Sequence, residues 1–251
     1  MSYPKISIIT VCYNAVEIIE ETILSVISQT YSNIEYIVID GASTDGTVDV
    51  IGRYSDKIAY FVSEPDNGIY DALNKGVKIA NGLWIGLLNC GDVFHNNHVI
   101  EDMFRMPVDD NVGVLYGGCV ELDYGVSKCC NIVPASPHKG IPPQYRHGAS
   151  FVRNAIHKEF LFDLSQSIKY HYSLDYLQIV KMYRAGIEFQ YVDVVVLDYQ
   201  KDGMSNHPLK NKYYRALIEN DGKQDVLFFF SFAKSLFSAV VKKIIQLLGG
   251  K

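Results

Sequence analysis

Three aspartates occupy positions where a folded chain would present a carboxylate to a ligand. Residues 34–47 read IEYIVIDGASTDGT, so a run of apolar and β-branched residues stops abruptly at Asp40. A second apolar run is followed closely by Asp92, and Asp175 lies at the start of a helical pattern. Because ligands of open α/β sheets bind at the carboxyl ends of parallel strands, Asp40 and Asp92 are candidate ligand contacts.

Carboxylates gathered at one edge of a sheet repel each other unless a cation or a ligand donor compensates their charge. Oxygen ligands suit Mg²⁺ or Mn²⁺, and Mg²⁺ typically takes one or two carboxylates together with phosphate oxygens. The alternative for any single aspartate is a turn or a helix cap. For Asp45, which precedes Gly46, capping of the next helix is the preferred interpretation. Asp66 and Asp71 flank the start of a later predicted helix.

The segments around these acids alternate between strand and helix patterns over residues 1–92. Strands are predicted at 6–12, 36–40, 58–63 and 83–88, and helices at 17–29, 48–54 and 69–80. This alternation indicates an α/β fold with right-handed crossovers and a parallel sheet. Beyond it we expect strands at 114–122, 148–152 and 189–197, a helix at 174–185 and a proline-rich loop at 132–145.

Composition excludes several classes of protein. The 251 residues are 48% hydrophobic with a formal net charge of −5, so no bulk basic field argues for nucleic acid. Five cysteines without CxxC spacing indicate free thiols in a reducing compartment, and we expect a cytoplasmic protein. The sequence contains no P-loop, no G-x-G-x-x-G, no nucleophile elbow and no zinc-ligand spacing.

The order of the short motifs resembles one known family. It includes TVCYNA (10–15), IVIDGASTDGT (37–47), SEPDNGIYDALNKG (63–76), LNCGD (88–92), HGASF (147–151), SLDYLQIVKMYRAG (173–186) and GMS (203–205). Together they resemble the family 2 glycosyltransferases of the GT-A fold, and most of all the bacterial branch that builds surface polysaccharides. The resemblance covers about residues 4–207. It implies a Rossmann-like, mixed and mostly parallel sheet flanked by helices in a domain spanning 1–215, with a nucleotide-binding half (1–92) and an acceptor-binding half (93–215).

The resemblance also implies roles for individual residues. The donor, a nucleotide-diphosphate sugar, would be held by Thr10, Tyr13, Asn14, Asp40, Asp71, Asn74 and Lys75. A solvated helix face is the alternative for Lys75. The metal, Mg²⁺ or Mn²⁺, would be held by Asp92. Asn89 and Gly91 stand where relatives usually carry acids, so Asp92 is the one charged ligand left in this motif.

Catalysis is implied to fall to Asp175, in the position where relatives carry the general base. A carboxylate there can take the proton of an acceptor hydroxyl as that hydroxyl attacks the anomeric carbon with inversion. A helix N-cap is the alternative for Asp175. His147 would contact the donor sugar or the acceptor, and His207 lies in a loop that could add a metal ligand.

The resemblance therefore predicts an inverting hexosyl- or N-acetylhexosaminyl-transferase acting on a saccharide or lipid-linked saccharide. Two alternatives stay open. A nucleotidyltransferase also needs acids and Mg²⁺, although TVCYNAVE lacks the Gly, Lys or Arg expected of a triphosphate loop. An inactive nucleotide- or carbohydrate-binding scaffold is the other, because the metal motif is depleted.

The C-terminal segment, 226–248, has the pattern of an amphipathic helix. Its polar residues form a narrow stripe in which all three charges are lysines, and the remaining surface is apolar. This pattern predicts a helix lying in the membrane interface, on the inner face of the cell membrane. The alternative is a helix docked on the domain or on the partner subunit of a homodimer.

Overall fold

The computed structural model describes residues 4–123, 126–129, 142–200, 208–226, 228–230, 232, 233 and 237. The strands are β1 (Ile6–Cys12), β2 (Ile34–Asp40), β3 (Tyr60–Ser63), β4 (Trp84–Leu87), β5 (Val93–Phe94), β6 (Val112–Asp123), β7 (Val126–Cys129), β8 (Ser150–Arg153) and β9 (Glu188–Gln200). The helices are α1 (Ile19–Ile27), α2 (Thr47–Gly52), α3 (Ile69–Ile79), α4 (Val99–Met103), α5 (Asn154–Glu159), α6 (Ser167–Tyr170), α7 (Leu174–Arg184) and α8 (Pro208–Glu219). Short 3₁₀ turns lie at His147–Ala149, Leu164–Gln166 and His171–Ser173.

One mixed sheet runs through the domain in the order β3-β2-β1-β4-β8-β6-β9-β5, and β7 pairs with β6. The first four strands are parallel, with β1 central between β2 and β4. β8 is antiparallel to both β4 and β6, whereas β9 is parallel to β6. The α/β class and the mixed sheet flanked by helices are thereby confirmed, and the carboxyl ends of β1, β2, β3 and β4 meet at one edge.

The sheet is buried on both faces, which explains why its strands are apolar throughout. Along β1, Ile6 and Ile8 join a core beneath α1 and α2, while Ile9 and Val11 join a core beneath α3 and α7. Successive residues of a strand point to opposite faces, so a strand with continuous apolar residues requires helices on both sides. The predicted alternation of strands and helices supplies them.

Most elements begin and end close to the predicted positions. The strand predicted from residue 148 begins instead at Ser150, because the preceding residues form the 3₁₀ turn His147–Ala149. Helices α4, α5, α6 and α8 and the short strands β5 and β7 were not predicted from the sequence. Of the predicted loop at 132–145, residues 132–141 lie outside the described part of the chain, as do GMS (203–205) and His207.

The beginning of the C-terminal segment packs on α8. Phe228 is buried, with its ring 5.4 Å from the Tyr213 ring and 5.9 Å from the Phe232 ring. Its neighbours Phe229 and Phe230 are exposed. Most of residues 227–251 lie outside the described part of the chain. Within the described ranges, no helix has both the length and the apolar character needed to cross a bilayer.

A buried carboxylate fixes the register of the parallel strands at the edge opposite the predicted site. Glu35 accepts hydrogen bonds from the Lys5 ammonium (2.7 Å), the Ser7 hydroxyl (2.5 Å) and the Asn81 N–H (2.7 Å). These donors come from the start of β1 and from the turn before β4. Burial alone would raise the pKa of Glu35, but these hydrogen bonds lower it to about 2.

We expect Glu35→Gln to destabilise the protein at pH 7 by about 2 kcal/mol, because three donors lose a charged acceptor. The folded-state pKa is depressed, so this stabilisation is present above pH 4.5 and is lost as the pH falls toward 2. Urea denaturation of both proteins at pH 7 and pH 3 measures the difference. The exposed Glu159→Gln is the matched control, and an equal effect of Glu35→Gln at both pH values would contradict this role.

Candidate active site

The carboxylate of Asp40 lies inside the protein at the end of β2, and Asp40 is 0% exposed to solvent. One oxygen accepts hydrogen bonds from the Ser43 N–H (2.9 Å) and the Ser63 hydroxyl (2.6 Å). The other accepts from the Ser43 hydroxyl and from the Cys12 thiol (3.4 Å). A buried charge is tolerated only when it is hydrogen-bonded, so Asp40 ties the loop after β2 to the ends of β1 and β3.

Asn14 and Asp45 hold the same loop from outside. The Asn14 N–H donates to the Ser43 hydroxyl (2.7 Å), and the Asn14 side-chain oxygen accepts from the Thr44 N–H (3.0 Å). Asp45 accepts from the Thr47 N–H (3.0 Å), which is the first N–H of α2 and would otherwise be free. The loop is therefore built before any ligand arrives.

An exposed aromatic ring lies over this loop. Tyr13 is 66% exposed. A methyl group added at Gly41 would lie 3.3 Å from the Tyr13 ring and 2.7 Å from a carboxylate oxygen of Asp66. The backbone at Gly41 thus lies beside both the ring and the Asp66 carboxylate, and a larger residue there would displace that carboxylate. This arrangement offers a planar ring and a hydrogen-bond acceptor to a ligand that reaches the carboxyl ends of β1 and β2.

At the start of α3, two residues that are predicted to bind the nucleotide-sugar donor, Asp71 and Lys75, contact the preceding turn. Asp71 accepts hydrogen bonds from the backbone N–H (2.9 Å) and the side-chain amide (3.1 Å) of Asn67. Lys75 pairs with Glu64 (2.8 Å) and donates to the Pro65 carbonyl (2.9 Å). Both side chains remain partly exposed at this edge of the sheet.

Two other residues that are predicted to bind the nucleotide-sugar donor, Thr10 and Asn74, are buried. The Thr10 hydroxyl accepts from the Tyr36 hydroxyl at 3.1 Å within the core. Asn74 exchanges two hydrogen bonds with the backbone of Phe162, at 2.8 and 2.9 Å. In this structure, Thr10 and Asn74 therefore pack the scaffold beneath the cleft, whereas Tyr13, Asn14, Asp71 and Lys75 lie at its surface.

The turn after β4 brings two further oxygen groups to the same edge. Its backbone is fixed by the buried Thr22 hydroxyl, which accepts from the Gly91 N–H (3.0 Å) and donates to the Asp92 carbonyl (2.9 Å). Gly91 has a φ of +92°, a backbone conformation that residues other than glycine rarely adopt. Gly91 therefore occupies a turn whose backbone conformation favours glycine.

The carboxyl group of Asp92 has a pKa near neutral pH. Burial raises its pKa from an ordinary 3.8 to about 7, and the Arg146 guanidinium opposes this rise. None of the described donors hydrogen-bonds to this carboxylate. A charged Asp92 is therefore costly until a cation or a donor reaches it.

These groups fit a hard divalent cation. The side-chain oxygen of Asn89 is buried and has no partner within the described part of the chain. An unpartnered buried oxygen costs free energy, and a bound cation or an ordered water would satisfy it. Although the described residues contain no cluster of three or more His, Cys, Asp or Glu side chains, one amide and one carboxylate oxygen would suit Mg²⁺ or Mn²⁺ completed by phosphate oxygens.

A cavity of about 300 Å³ lies beside this edge, and Asp175 lines it. The other lining residues are Tyr145, Arg146, His147, Tyr172, Ser173, Tyr176, Ile179, Asn211, Lys212 and Arg215. Asp175 accepts one hydrogen bond, from the Tyr176 N–H (2.7 Å) in the first turn of α7. The Ser173 side chain makes no cap hydrogen bond to α7. Asp175 lies in the first turn of α7 and lines the cavity.

His147 lines the cavity as a neutral imidazole. Its Nε2 lies 3.1 Å from the Gln178 side-chain oxygen, whose amide group donates to the Phe160 carbonyl (2.5 Å). Because the Gln178 oxygen can only accept, Nε2 carries the proton. Burial lowers the pKa of His147, although the nearby Asp175 carboxylate opposes this effect.

Arg146 connects the two parts of the site. Its guanidinium lies 3.6 Å from the centre of the Tyr199 ring, lines the cavity with Asp175 and acts electrostatically on Asp92. Arg146 and Tyr172 lie immediately before the motifs that begin at His147 and Ser173 and were not predicted from the sequence. Lys212 and Arg215 were not predicted either, because their segment carries no motif.

Comparison with known proteins shows similarity to glycosyltransferases. Residues 7–128 match the family model described as Glycosyl transferase family 2. An uncharacterized glycosyltransferase of Mycobacterium tuberculosis is 31% identical over 159 residues, covering 62% of this chain and 61% of that protein. TuaG of Bacillus subtilis, named for teichuronic acid biosynthesis, is 36% identical over 92 residues, or 36% of each chain. The alignments thus span less than two thirds of these relatives.

Solved structures share the architecture. Residues 1–349 of Staphylococcus aureus TarS in complex with UDP align with a TM-score of 0.66 at 19% identity, covering 92% of this chain and 70% of that chain. The mannosyltransferase PcManGT of Pyrobaculum calidifontis, in complex with GDP-Man and Mn²⁺, aligns with a TM-score of 0.67 at 16% identity, covering 96% and 76%. At these identities the likeness establishes the fold alone.

We expect Asp92→Asn to raise the melting temperature of the ligand-free protein at pH 8 by roughly 5 °C, because it removes a costly buried charge. The folded-state pKa is raised, so the gain is small at pH 4 and grows until about pH 7. Adding Mn²⁺ with a nucleoside diphosphate should stabilise the wild type more than the variant. Differential scanning fluorimetry measures both effects, with the exposed Asp56→Asn as control, and a variant no more stable at pH 8 than at pH 4 would contradict the assignment.

Proposed function

We propose that this chain, whose residues 7–128 match the Glycosyl transferase family 2 model, transfers a sugar from a nucleotide-diphosphate donor to a saccharide hydroxyl with inversion. The observation that carries the proposal is the adjacency of two sites. Arg146 acts on Asp92 at the end of β4 and lines the same cavity as Asp175. A leaving-group site beside a carboxylate base is what glycosyl transfer from a diphosphate donor requires.

The nucleotide would bind across the carboxyl ends of β1 and β2. Tyr13 offers its exposed ring to the base, and the Asp66 carboxylate beside Gly41 can accept a hydrogen bond from the base or ribose. Asp40, Asn14, Thr10 and Asn74 contribute by holding this surface in place. Asp71 and Lys75 flank the path toward the diphosphate.

The diphosphate would lie at the turn after β4. Asp92 and the unpartnered Asn89 oxygen would hold Mg²⁺ or Mn²⁺, and the Thr22 hydroxyl fixes the turn that presents them. A cation bound there supplies positive charge that stabilises the departing diphosphate. Arg146 adds a second positive charge to the same region.

The acceptor hydroxyl would lie in the cavity. Asp175 takes its proton, the acceptor oxygen forms a bond to the anomeric carbon, and the bond from that carbon to the diphosphate oxygen breaks. Attack from the face opposite the leaving group inverts the configuration. His147, held neutral and oriented by Gln178, can accept a hydrogen bond from a sugar hydroxyl through its unprotonated Nδ1. The sugar is of the hexosyl or N-acetylhexosaminyl class.

The acceptor would be a saccharide or lipid-linked saccharide of the cell surface, reached from the inner face of the membrane. Similarity to TuaG, named for teichuronic acid biosynthesis, supports this substrate class. The exposed Phe229 and Phe230 support a membrane-facing surface at the start of the C-terminal segment, while Phe228 anchors that segment to α8.

We expect donor binding to appear as a rise in melting temperature, because a ligand that binds only the folded state stabilises it by mass action. Nucleoside diphosphates and nucleotide sugars are screened with and without Mn²⁺ by scanning fluorimetry, followed by an assay of nucleotide release. A nucleotide sugar that stabilises the protein with Mn²⁺ and is turned over supports a transferase. Stabilisation without any turnover would favour the inactive scaffold, and no stabilisation would contradict donor binding.

We expect Asp175→Asn to lower kcat for transfer by roughly 10²–10⁴-fold with little change in donor affinity, because the amide cannot accept the proton. The amide oxygen can still accept from the Tyr176 N–H, so the start of α7 is preserved. Product formation is followed by chromatography with saturating donor, and Asp49→Asn, an exposed position on α2, is the control. Transfer at the wild-type rate in Asp175→Asn would overturn the base assignment.

We expect the double variant Phe229→Ser, Phe230→Ser to bind vesicles containing anionic phospholipid at least roughly tenfold more weakly than the wild type, since two exposed apolar rings are lost. Co-sedimentation with vesicles measures the bound fraction. Met106→Ser, which changes another exposed apolar side chain, is the control. Equal binding of the double variant and the wild type would contradict a membrane-facing role for these rings.

A further inference from the structure

The cavity that contains Asp175 is electropositive, although the chain as a whole carries a net charge of −5. Arg146, Lys212 and Arg215 face a single carboxylate, so the lining has two more positive than negative charges when His147 is neutral. The positive charge of this cavity, which is lined by described residues, therefore contrasts with the negative net charge of the whole chain.

The two arginines are held by aromatic rings and not by carboxylates. The Arg146 guanidinium lies 3.6 Å from the centre of the Tyr199 ring, and that of Arg215 lies 4.5 Å from the Tyr176 ring. The nearby acids are engaged by the phenols, since Tyr199 donates to Glu121 (2.6 Å). Tyr176 likewise donates to Glu219 (2.6 Å).

Arg215 therefore presents unneutralised charge to the cavity. None of the described carboxylates lies within ion-pairing distance of Arg146 or Arg215. Arg215 donates to the Gln144 side-chain oxygen at 2.7 Å, which orients the guanidinium plane. A guanidinium has five N–H donors in a rigid fork that matches the oxygens of a carboxylate or a phosphate.

The cavity also suits a sugar ring. Tyr172 is exposed in its lining, next to the residues that position Asp175. An aromatic face beside polar groups is a common platform for a saccharide, whose rings have apolar C–H faces. In the proposed function the acceptor's sugar hydroxyl lies against Asp175 in this cavity, and the donor's diphosphate lies at the Asp92 turn. A charged group that contacts Arg215 would therefore belong to the acceptor and not to the donor.

We propose that the acceptor is an anionic saccharide, whose carboxylate or phosphate is bound by Arg215 in the cavity that contains Asp175. This inference rests on the proposed function and specifies its acceptor. The shared chemistry is an anionic oxygen group within reach of a sugar hydroxyl. Arg215 lies on α8, outside the residues that match the family model.

Binding is measured with three probes that differ only in charge and its chemistry: glucose, glucuronic acid and glucose 6-phosphate. Each is titrated by ligand-observed NMR into the full chain saturated with Mn²⁺ and the nucleoside diphosphate that gives the largest rise in melting temperature. Saturation keeps the anionic probes out of the diphosphate site. The prior rise in melting temperature establishes donor binding separately.

We expect at least one anionic probe to bind roughly tenfold more tightly than glucose, and the tighter of the two identifies a carboxylate or a phosphate as the recognised group. Arg215→Gln should remove this preference, Arg215→Lys should retain part of it, and Arg53→Gln, at an exposed position outside the cavity, should leave it intact. The preference should also decline as NaCl is raised.

Equal binding of all three probes, no binding of any of them, or an unchanged preference in Arg215→Gln overturns the inference. The melting temperature and the nucleotide-induced shift of each variant establish that it is folded. If the nucleoside diphosphate itself gives no shift in the wild type, it is the proposed function that fails. A nucleotide shift without an anion preference leaves that function standing and removes only the anionic acceptor.

Discussion

A carboxylate without solvent exposure must find its hydrogen-bond donors inside the protein, and this requirement organises the active edge of the sheet. Asp40 meets it with the backbone and hydroxyl of Ser43, the hydroxyl of Ser63 and the thiol of Cys12. These donors come from the loop after β2 and the ends of β3 and β1. The charge therefore fixes, relative to one another, the strand ends over which Tyr13 and Asp66 are displayed.

The division of labour among the acids follows from burial. Asp40 is satisfied by the protein and supports the cleft, whereas Asp92 has no described donor and Asn89 has an unpartnered oxygen. The oxygens of Asp40 already accept hydrogen bonds from the protein. The Asp92 carboxylate and the Asn89 side-chain oxygen have no described donor, so a bound cation would stabilise them. Among the described donors, the Tyr176 N–H bonds to one oxygen of Asp175, and the other oxygen is the one that the proposed mechanism uses for proton transfer.

Much of the fold of residues 4–92 could be predicted from sequence, because its strands are apolar on both faces and its turns carry local signals. Asp40 and Asp92 became candidates because each follows such a strand, whereas Asp175 became one because it lies at a helix start in a segment that resembles a family motif. Whether a side chain is buried depends on distant partners, so the packing of Asn74 against Phe162 could not be inferred. The cavity was missed for the same reason, since Arg146, Tyr172 and Arg215 converge from segments without a shared motif.

The central claim is that one edge of the sheet binds the nucleotide and its metal while the adjacent cavity supplies the base. A crystal structure with Mn²⁺ and the preferred nucleotide sugar tests it most directly. The account predicts the base against Tyr13 above Gly41, the metal held by Asp92 and Asn89, and the sugar facing Asp175. A nucleotide bound elsewhere, or a metal that does not contact Asp92, would contradict it.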